Sequence, residues 1–181
     1  MSAGLMGDKM LKRVIQEFLM ANSPDPVTQE YIFNHTMLRV RDPKVSLDFY
    51  ENILGMRLLR KVDFNEWKFS LFFLGMVKAD EKIPDLNNDS AAAQFIAVRS
   101  GILELTHNHG TEENAETPYH NGNTEPRGFG HICFTVPDIK AACARFESLG
   151  VNFQKRLGEG GMKNIAFIKD PDNYWIEIIE A

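Results

Sequence analysis

The run His35-Thr-Met-Leu-Arg-Val-Arg-Asp-Pro-Lys-Val-Ser-Leu-Asp-Phe-Tyr-Glu-Asn-Ile-Leu-Gly55 decides how this chain is read. It describes a short alternating strand headed by a histidine, a turn at Asp42-Pro43 and a helix that ends on a glycine. Asp42 suits a helix cap and Pro43 the first helical position. Val45, Leu47, Phe49, Tyr50, Ile53 and Leu54 give the helix an apolar side. Nearly the same pattern returns at His131-Ile-Cys-Phe-Thr-Val-Pro-Asp-Ile-Lys-Ala-Ala-Cys-Ala-Arg-Phe-Glu-Ser-Leu-Gly150. Each histidine is followed five residues later by valine, Val40 or Val136, and each helix closes with Leu-Gly. A repeated unit fixes the architecture before any single residue does.

Working outward, strands are predicted at 56–63 and 68–76, and the polar segment 77–92 reads as an inserted loop. Phe95–Val98 and Ile102–Thr106 read as a hairpin about Ser100-Gly101. After the second helix, strands are predicted at 152–156, 163–168 and 174–179. The expected fold class is α+β, two βαβββ modules forming curved eight-stranded sheets, with an N-terminal helical arm. The boundaries are 1–26 for arm and linker, 27–106 for the first module, 107–128 for a second linker, and 129–181 for the second module. The arm rests on an apolar stripe of Met10, Leu11, Val14, Ile15, Phe18 and Leu19 opposite mixed charges.

Composition narrows the function. The 181 residues carry a net charge of -5, with 44% hydrophobic and 25% charged residues. That balance gives no electrostatic reason to bind nucleic acid, and no apolar run is long enough to span a membrane. The N-terminal residues lack the order of a signal peptide. Two cysteines, Cys133 and Cys143, make no disulfide framework. A cytoplasmic protein is expected.

The last strand of each module holds one acid among apolar neighbours, Leu103-Glu104-Leu105 and Ile176-Glu177-Ile178. Alternation sets Glu104 with Thr106 and Asn108, and Glu177 with Trp175 and Ile179. If the modules fold alike, each presents one histidine and one glutamate on a concave face. Two imidazoles and two carboxylates suit zinc, nickel, cobalt or iron, and the lack of thiolates disfavours a structural zinc site. Any one of these residues alone would read as a paired core group. Repetition in both modules favours a metal site, since an unpaired buried carboxylate is costly.

With those residues in view, the chain from about Tyr31 to Ile179 resembles the glyoxalase I (lactoylglutathione lyase) family of the vicinal oxygen chelate superfamily. The resemblance is carried by Thr36–Pro43, Ser46–Tyr50, Leu103–Asn108, Tyr119–Asn123, Pro126–His131 and Trp175–Glu177. It implies that His35, Glu104, His131 and Glu177 are metal ligands. A histidine stands where the longer zinc enzymes of the family usually have glutamine, while length, arm and insert are those of that zinc class. Zinc is the first expectation, with nickel or cobalt as alternatives and glutathione as co-substrate.

The resemblance also implies that Arg39, Asn108, Arg127, Lys155 and Met162 contact the glutathione part of the substrate. A guanidinium suits a carboxylate physically. Phe64 and Trp67 match the apolar pocket, with Leu71 and Phe73 read equally as core. Residues 155–161 read as a mobile flap or a plain hairpin loop. The implied reaction converts the methylglyoxal–glutathione hemithioacetal to S-D-lactoylglutathione by proton transfer through a metal-bound enediolate. Glu177 would be the base and Glu104 the opposed carboxylate. The implied assembly is a homodimer, with His35 and Glu104 of one chain facing His131 and Glu177 of the other. Superfamily rivals are an extradiol dioxygenase or thiol transferase, and a rival of another class is a ligand-sequestering binder. His107, His109 and His120 read as structural, and both cysteines as inert thiols.

Overall fold

The computed structural model of the protein describes residues 25–181, so the expected helical arm lies outside the described residues. Strand β1 (His35–Val40) leads into helix α1 (Pro43–Asp48), which widens into a π-helical turn over Phe49–Ile53. Asp42 accepts from Lys44 N at 2.9 Å and Pro43 opens the helix, as the turn chemistry predicts. Gly55, at φ +78°, lets the chain leave through the left-handed region. Strands β2 (Arg57–Phe64) and β3 (Phe69–Gly75) follow, then helix α2 (Asp89–Ala97) and strand β4 (Ile102–Asn108). The second module supplies β5 (His131–Val136), α3 (Ile139–Ser148), β6 (Phe153–Lys155), β7 (Ala166–Lys169) and β8 (Trp175–Glu180).

The eight strands form two four-stranded sheets, ordered β1-β4-β3-β2 and β5-β8-β7-β6. In each, the histidine strand runs parallel to the glutamate strand and the remaining pairs are antiparallel. The sequence repeat is thus a topological repeat.

One expectation is overturned. Phe95–Val98 is not a strand, because Phe95, Ile96 and Ala97 finish helix α2. Asn88 caps that helix by accepting from Ala91 N at 3.1 Å, and three successive alanines favour it. The predicted hairpin about Ser100-Gly101 is therefore a helix-to-strand turn, and the insert is partly helical. Ile96 packs against Leu59, Phe73 and Ile102 in a small satellite core.

The main core is shared by both modules. Leu38, Val40, Phe72, Leu74, Leu103 and Leu105 of one sheet meet Ala166, Ile168, Ile176 and Ile178 of the other through the helices. Each buried valine, leucine, isoleucine or phenylalanine side chain among them contributes about 1.5–3 kcal/mol. Polar ties cross the same seam. Asp170 accepts from Tyr50 Oη at 2.8 Å and Asp172 from Arg41 N at 3.0 Å. Arg145 donates to the carbonyls of Ile53 and Asn52 at 2.6 and 2.8 Å, satisfying the C-terminal end of the α1 segment. With the helical side filled, the opposite face of each sheet carries the chemistry.

Candidate metal centre

His35 and Glu104 lie on adjacent strands, Met37 being the direct partner of Glu104 in the ladder. The same offset holds for His131 and Glu177, with Cys133 opposite Glu177. His35 Nε2 lies 3.3 Å from Glu104 Oε2, and His131 Nε2 lies 3.3 Å from Glu177 Oε2. Each imidazole meets a phenylalanine edge-on, Phe73 at 6.0 Å and Phe167 at 5.3 Å between centroids. Those phenylalanines are the ladder partners of Glu104 and Glu177. The two half-sites are built to one plan.

Their exposure shows what they can accept. The imidazoles are 42% and 41% exposed while the carboxylates are 13% and 21% exposed. Neither carboxylate has a lysine or arginine partner among the described residues. Asn34 then orients the ring of His35. Its Nδ2 donates to the carbonyls of Ile96 and Arg99 at 2.7 and 2.8 Å, so its Oδ1 is the atom 2.8 Å from His35 Nδ1. An amide oxygen only accepts, so Nδ1 is a donor here and Nε2 is the ring nitrogen turned toward Glu104, free to serve as a ligand atom. An imidazole nitrogen and a carboxylate oxygen aimed at each other suit a shared cation, and held from behind in this way they are donors that fit a divalent metal.

Among the described residues, no three histidine, cysteine, aspartate or glutamate side chains converge on one point. Each half-site offers two donors. The two carboxylates also differ in their neighbours. Thr106 Oγ1 donates to Glu104 Oε1 at 3.2 Å. Cys133 sits against Glu177. Partial burial of its sulfur, the Glu177 charge and a hydrogen bond to that carboxylate push its thiol up to about 11, which leaves it unreactive near neutrality. Cys143 is buried in the shared core.

The remaining expected residues separate into groups. Arg39 Nη1 donates to Asn108 Oδ1 at 2.8 Å, so these two meet as the strand pattern implied. Strand β4 continues far enough to include Asn108. Arg127 is 78% exposed and pairs with Glu125 at 2.9 Å. Lys155 Nζ donates to the carbonyls of Met162 and Ile165 at 2.6 and 2.7 Å, holding the base of the 156–164 loop, while Met162 is exposed. Phe64 stacks against both Trp67 and Phe69, at 5.5 and 4.7 Å between centroids, and those two rings lie 6.3 Å from each other. Phe73 is buried in the satellite core and Leu71 packs against that cluster.

The other histidines have local partners. His107 meets Glu112 at 2.7 Å, His109 meets Ser70 at 2.9 Å and His120 meets Thr124 at 2.9 Å. Sequence reading missed Asn34 and Thr106, whose hydrogen bonds orient the ligands. Adjacency to His35 in the chain was the available signal for Asn34, and two-residue spacing from Glu104 was the signal for Thr106.

Comparisons with known proteins identify the family of the chain. The model of the Glyoxalase/Bleomycin resistance protein/Dioxygenase superfamily matches residues 32–178. The lactoylglutathione lyase of Pseudomonas aeruginosa is 61% identical over 158 residues, which is 87% of either chain. Glyoxalase I of Saccharomyces cerevisiae is 53% identical over 149 residues, covering 82% of this chain and 44% of the yeast protein. The solved structure of the trypanothione-dependent glyoxalase I of Leishmania major aligns with a TM-score of 0.59 at 32% identity, covering 83% of this chain and 86% of that one. The chain belongs to the glyoxalase/bleomycin resistance protein/dioxygenase superfamily, and within it to the lactoylglutathione lyase (glyoxalase I) enzymes.

Proposed function

We propose that the protein isomerises the hemithioacetal of methylglyoxal and glutathione to S-D-lactoylglutathione, with His35, Glu104, His131 and Glu177 holding a divalent metal. The observation that carries this reading is the doubled His–Glu pair, each with Nε2 and a carboxylate oxygen 3.3 Å apart. Zinc is the proposed ion, with nickel or cobalt as alternatives for the same donors. When bound, the ion supplies Lewis-acid stabilisation of negative charge on the two adjacent substrate oxygens.

The protein's own groups do the rest. Glu177 takes the carbon-bound proton and returns it to the neighbouring carbon, so the reaction is a net shift of hydrogen without loss of atoms. Glu104, with the Thr106 hydroxyl on one oxygen, is the more restrained carboxylate and stands opposite. Arg39 and Asn108 hold the anionic end of the glutathione moiety, joined by Arg127, Lys155 and Met162 as the loops close on the substrate. Phe64 and Trp67 provide apolar surface for the small non-glutathione end.

The site is completed across a homodimer. Strands β1 and β5 are each the outer strand of their sheet, so each leaves one row of backbone groups open. An apolar groove of about 470 Å³, lined by Leu54, Phe134, Val136, Ala142 and Phe146, runs beside β5. A second chain laid along these edges would bring the two half-sites together. No helix among the described residues is long and apolar enough to cross a membrane, and a cytoplasmic location is the reading adopted.

The test is to strip the metal with a chelator and restore zinc and nickel in parallel while following hemithioacetal isomerisation. Turnover should vanish and return. Glu177→Gln should keep the metal and lose nearly all turnover, whereas near-normal activity in that variant would remove Glu177 from the role of base.

A further inference from the structure

We infer that Tyr119, contributed by the 107–128 linker, is a positioning residue for the carboxylate of the substrate and acts through Asn108. The inference rests on the reading of Arg39 and Asn108 as the anion-holding pair.

The argument begins with what each group can do. A guanidinium only donates, so the Asn108 atom 2.8 Å from Arg39 Nη1 is the amide oxygen. The same oxygen lies 3.3 Å from Tyr119 Oη. An amide oxygen only accepts, so the phenol donates to it as well. Two donors then occupy the carbonyl end, and the carboxamide cannot turn over without setting its NH₂ against the guanidinium. Asn108 is half-buried and Arg39 exposed, both on the face that bears His35 and Glu104. Among the described residues no carboxylate neutralises Arg39, and no protein acceptor takes the Nδ2 hydrogens of Asn108. The free guanidinium N–H groups and the outward NH₂ therefore make adjacent donors, which suit the two oxygens of a carboxylate.

Tyr119 is not adrift in its linker. Asn121 Nδ2 donates to the Asn173 carbonyl and Asn123 Nδ2 to the Gly130 carbonyl, at 2.8 and 2.7 Å. Gly122, at φ +84°, lies so near the Phe129 backbone that an added Cβ would sit 2.1 Å from its carbonyl oxygen. The segment that carries Tyr119 is thus pinned, and its hydroxyl is a fixed restraint.

The experiment uses full-length metal-loaded protein and Tyr119→Phe, which keeps the ring and removes only the hydroxyl. Hemithioacetal turnover is measured alongside the Kd of S-methylglutathione and of its diethyl ester, in which both carboxylates are blocked. KM and the Kd of the free acid should rise about three- to tenfold, with kcat within about twofold, as for one hydrogen bond lost from a charged contact. The diester should bind wild type and variant equally. In an Asn108→Ala background, Tyr119→Phe should add nothing further. An unchanged Kd for the acid, or the same loss for acid and diester, overturns the inference. Wild-type protein that binds the acid with this Tyr119 dependence yet turns nothing over would instead sink the proposed reaction.

Discussion

Burial of Asp170 makes the seam between the modules sensitive to pH, and Tyr50→Phe tests how. Asp170 is 4% exposed. Its Oδ1 accepts from the amides of Asp172 and Tyr174 at 2.9 and 2.8 Å, and its Oδ2 accepts from Tyr50 Oη at 2.8 Å. No cation faces it among the described residues. Burial outweighs these hydrogen bonds and pushes its carboxyl from 3.8 up to about 7. The folded state therefore holds this proton more tightly than the unfolded chain. The stability tied to it is complete below about pH 3.8 and is lost as pH rises towards 7, in total about 4 kcal/mol.

Tyr50 opposes that rise, because its hydroxyl favours the ionised carboxyl. Removing it should cost about 2 kcal/mol at pH 8, where the lost bond is to a charged acceptor, and about 1 kcal/mol at pH 5. Urea unfolding of metal-free wild type and Tyr50→Phe, at one protein concentration and at both pH values, reads the difference. An equal loss at both pH values, or a larger one at pH 5, would refute this account of Asp170.

Two other outcomes test the site itself. Asn34→Ala should weaken metal binding about ten- to a hundredfold, since ligand-orienting partners contribute on that scale. A competition titration of the metal-free protein measures this, and unchanged affinity would show that Asn34 does not set the histidine. Mixing a His35→Ala chain with a Glu177→Gln chain should regain activity, because in a crossed dimer one of the two sites then has all its groups intact. Continued inactivity after verified subunit exchange would place each site within one chain.

How much could be read beforehand depended on whether a group's role is local. Strand β5 begins at His131 and ends at Val136 as its alternation predicts, and α1 starts where Asp42 and Pro43 say it should. The repeat conveyed the matched His–Glu offset, because parallel pairing of like strands makes it a consequence of register. Helix α2 was misread because Phe95-Ile-Ala-Val98 is a short apolar run without a distinguishing period, and its Asn88 cap lies seven residues upstream. The contacts of Asn34 with Ile96 and Arg99, and of Tyr119 with Asn108, join parts of the chain that only the folded sheet brings together. Lys155 carried a further lesson. Its ammonium is engaged by two loop carbonyls, a partner class that leaves no trace in residue type.

The insert between β3 and β4 gains a meaning from the way Asn34 holds it. Surface insertions are usually free to lengthen or shrink, since closing a longer loop adds little entropic cost. Here the last turn of α2 delivers its Ile96 carbonyl, and the turn after it the Arg99 carbonyl, to the side chain that sets the ring of His35. The helix works as a shim under a metal ligand, and its length is part of the tolerance to which that ligand is set. Trimming or grafting this segment in a redesigned protein would change the seat of His35 before it touched any residue of the site.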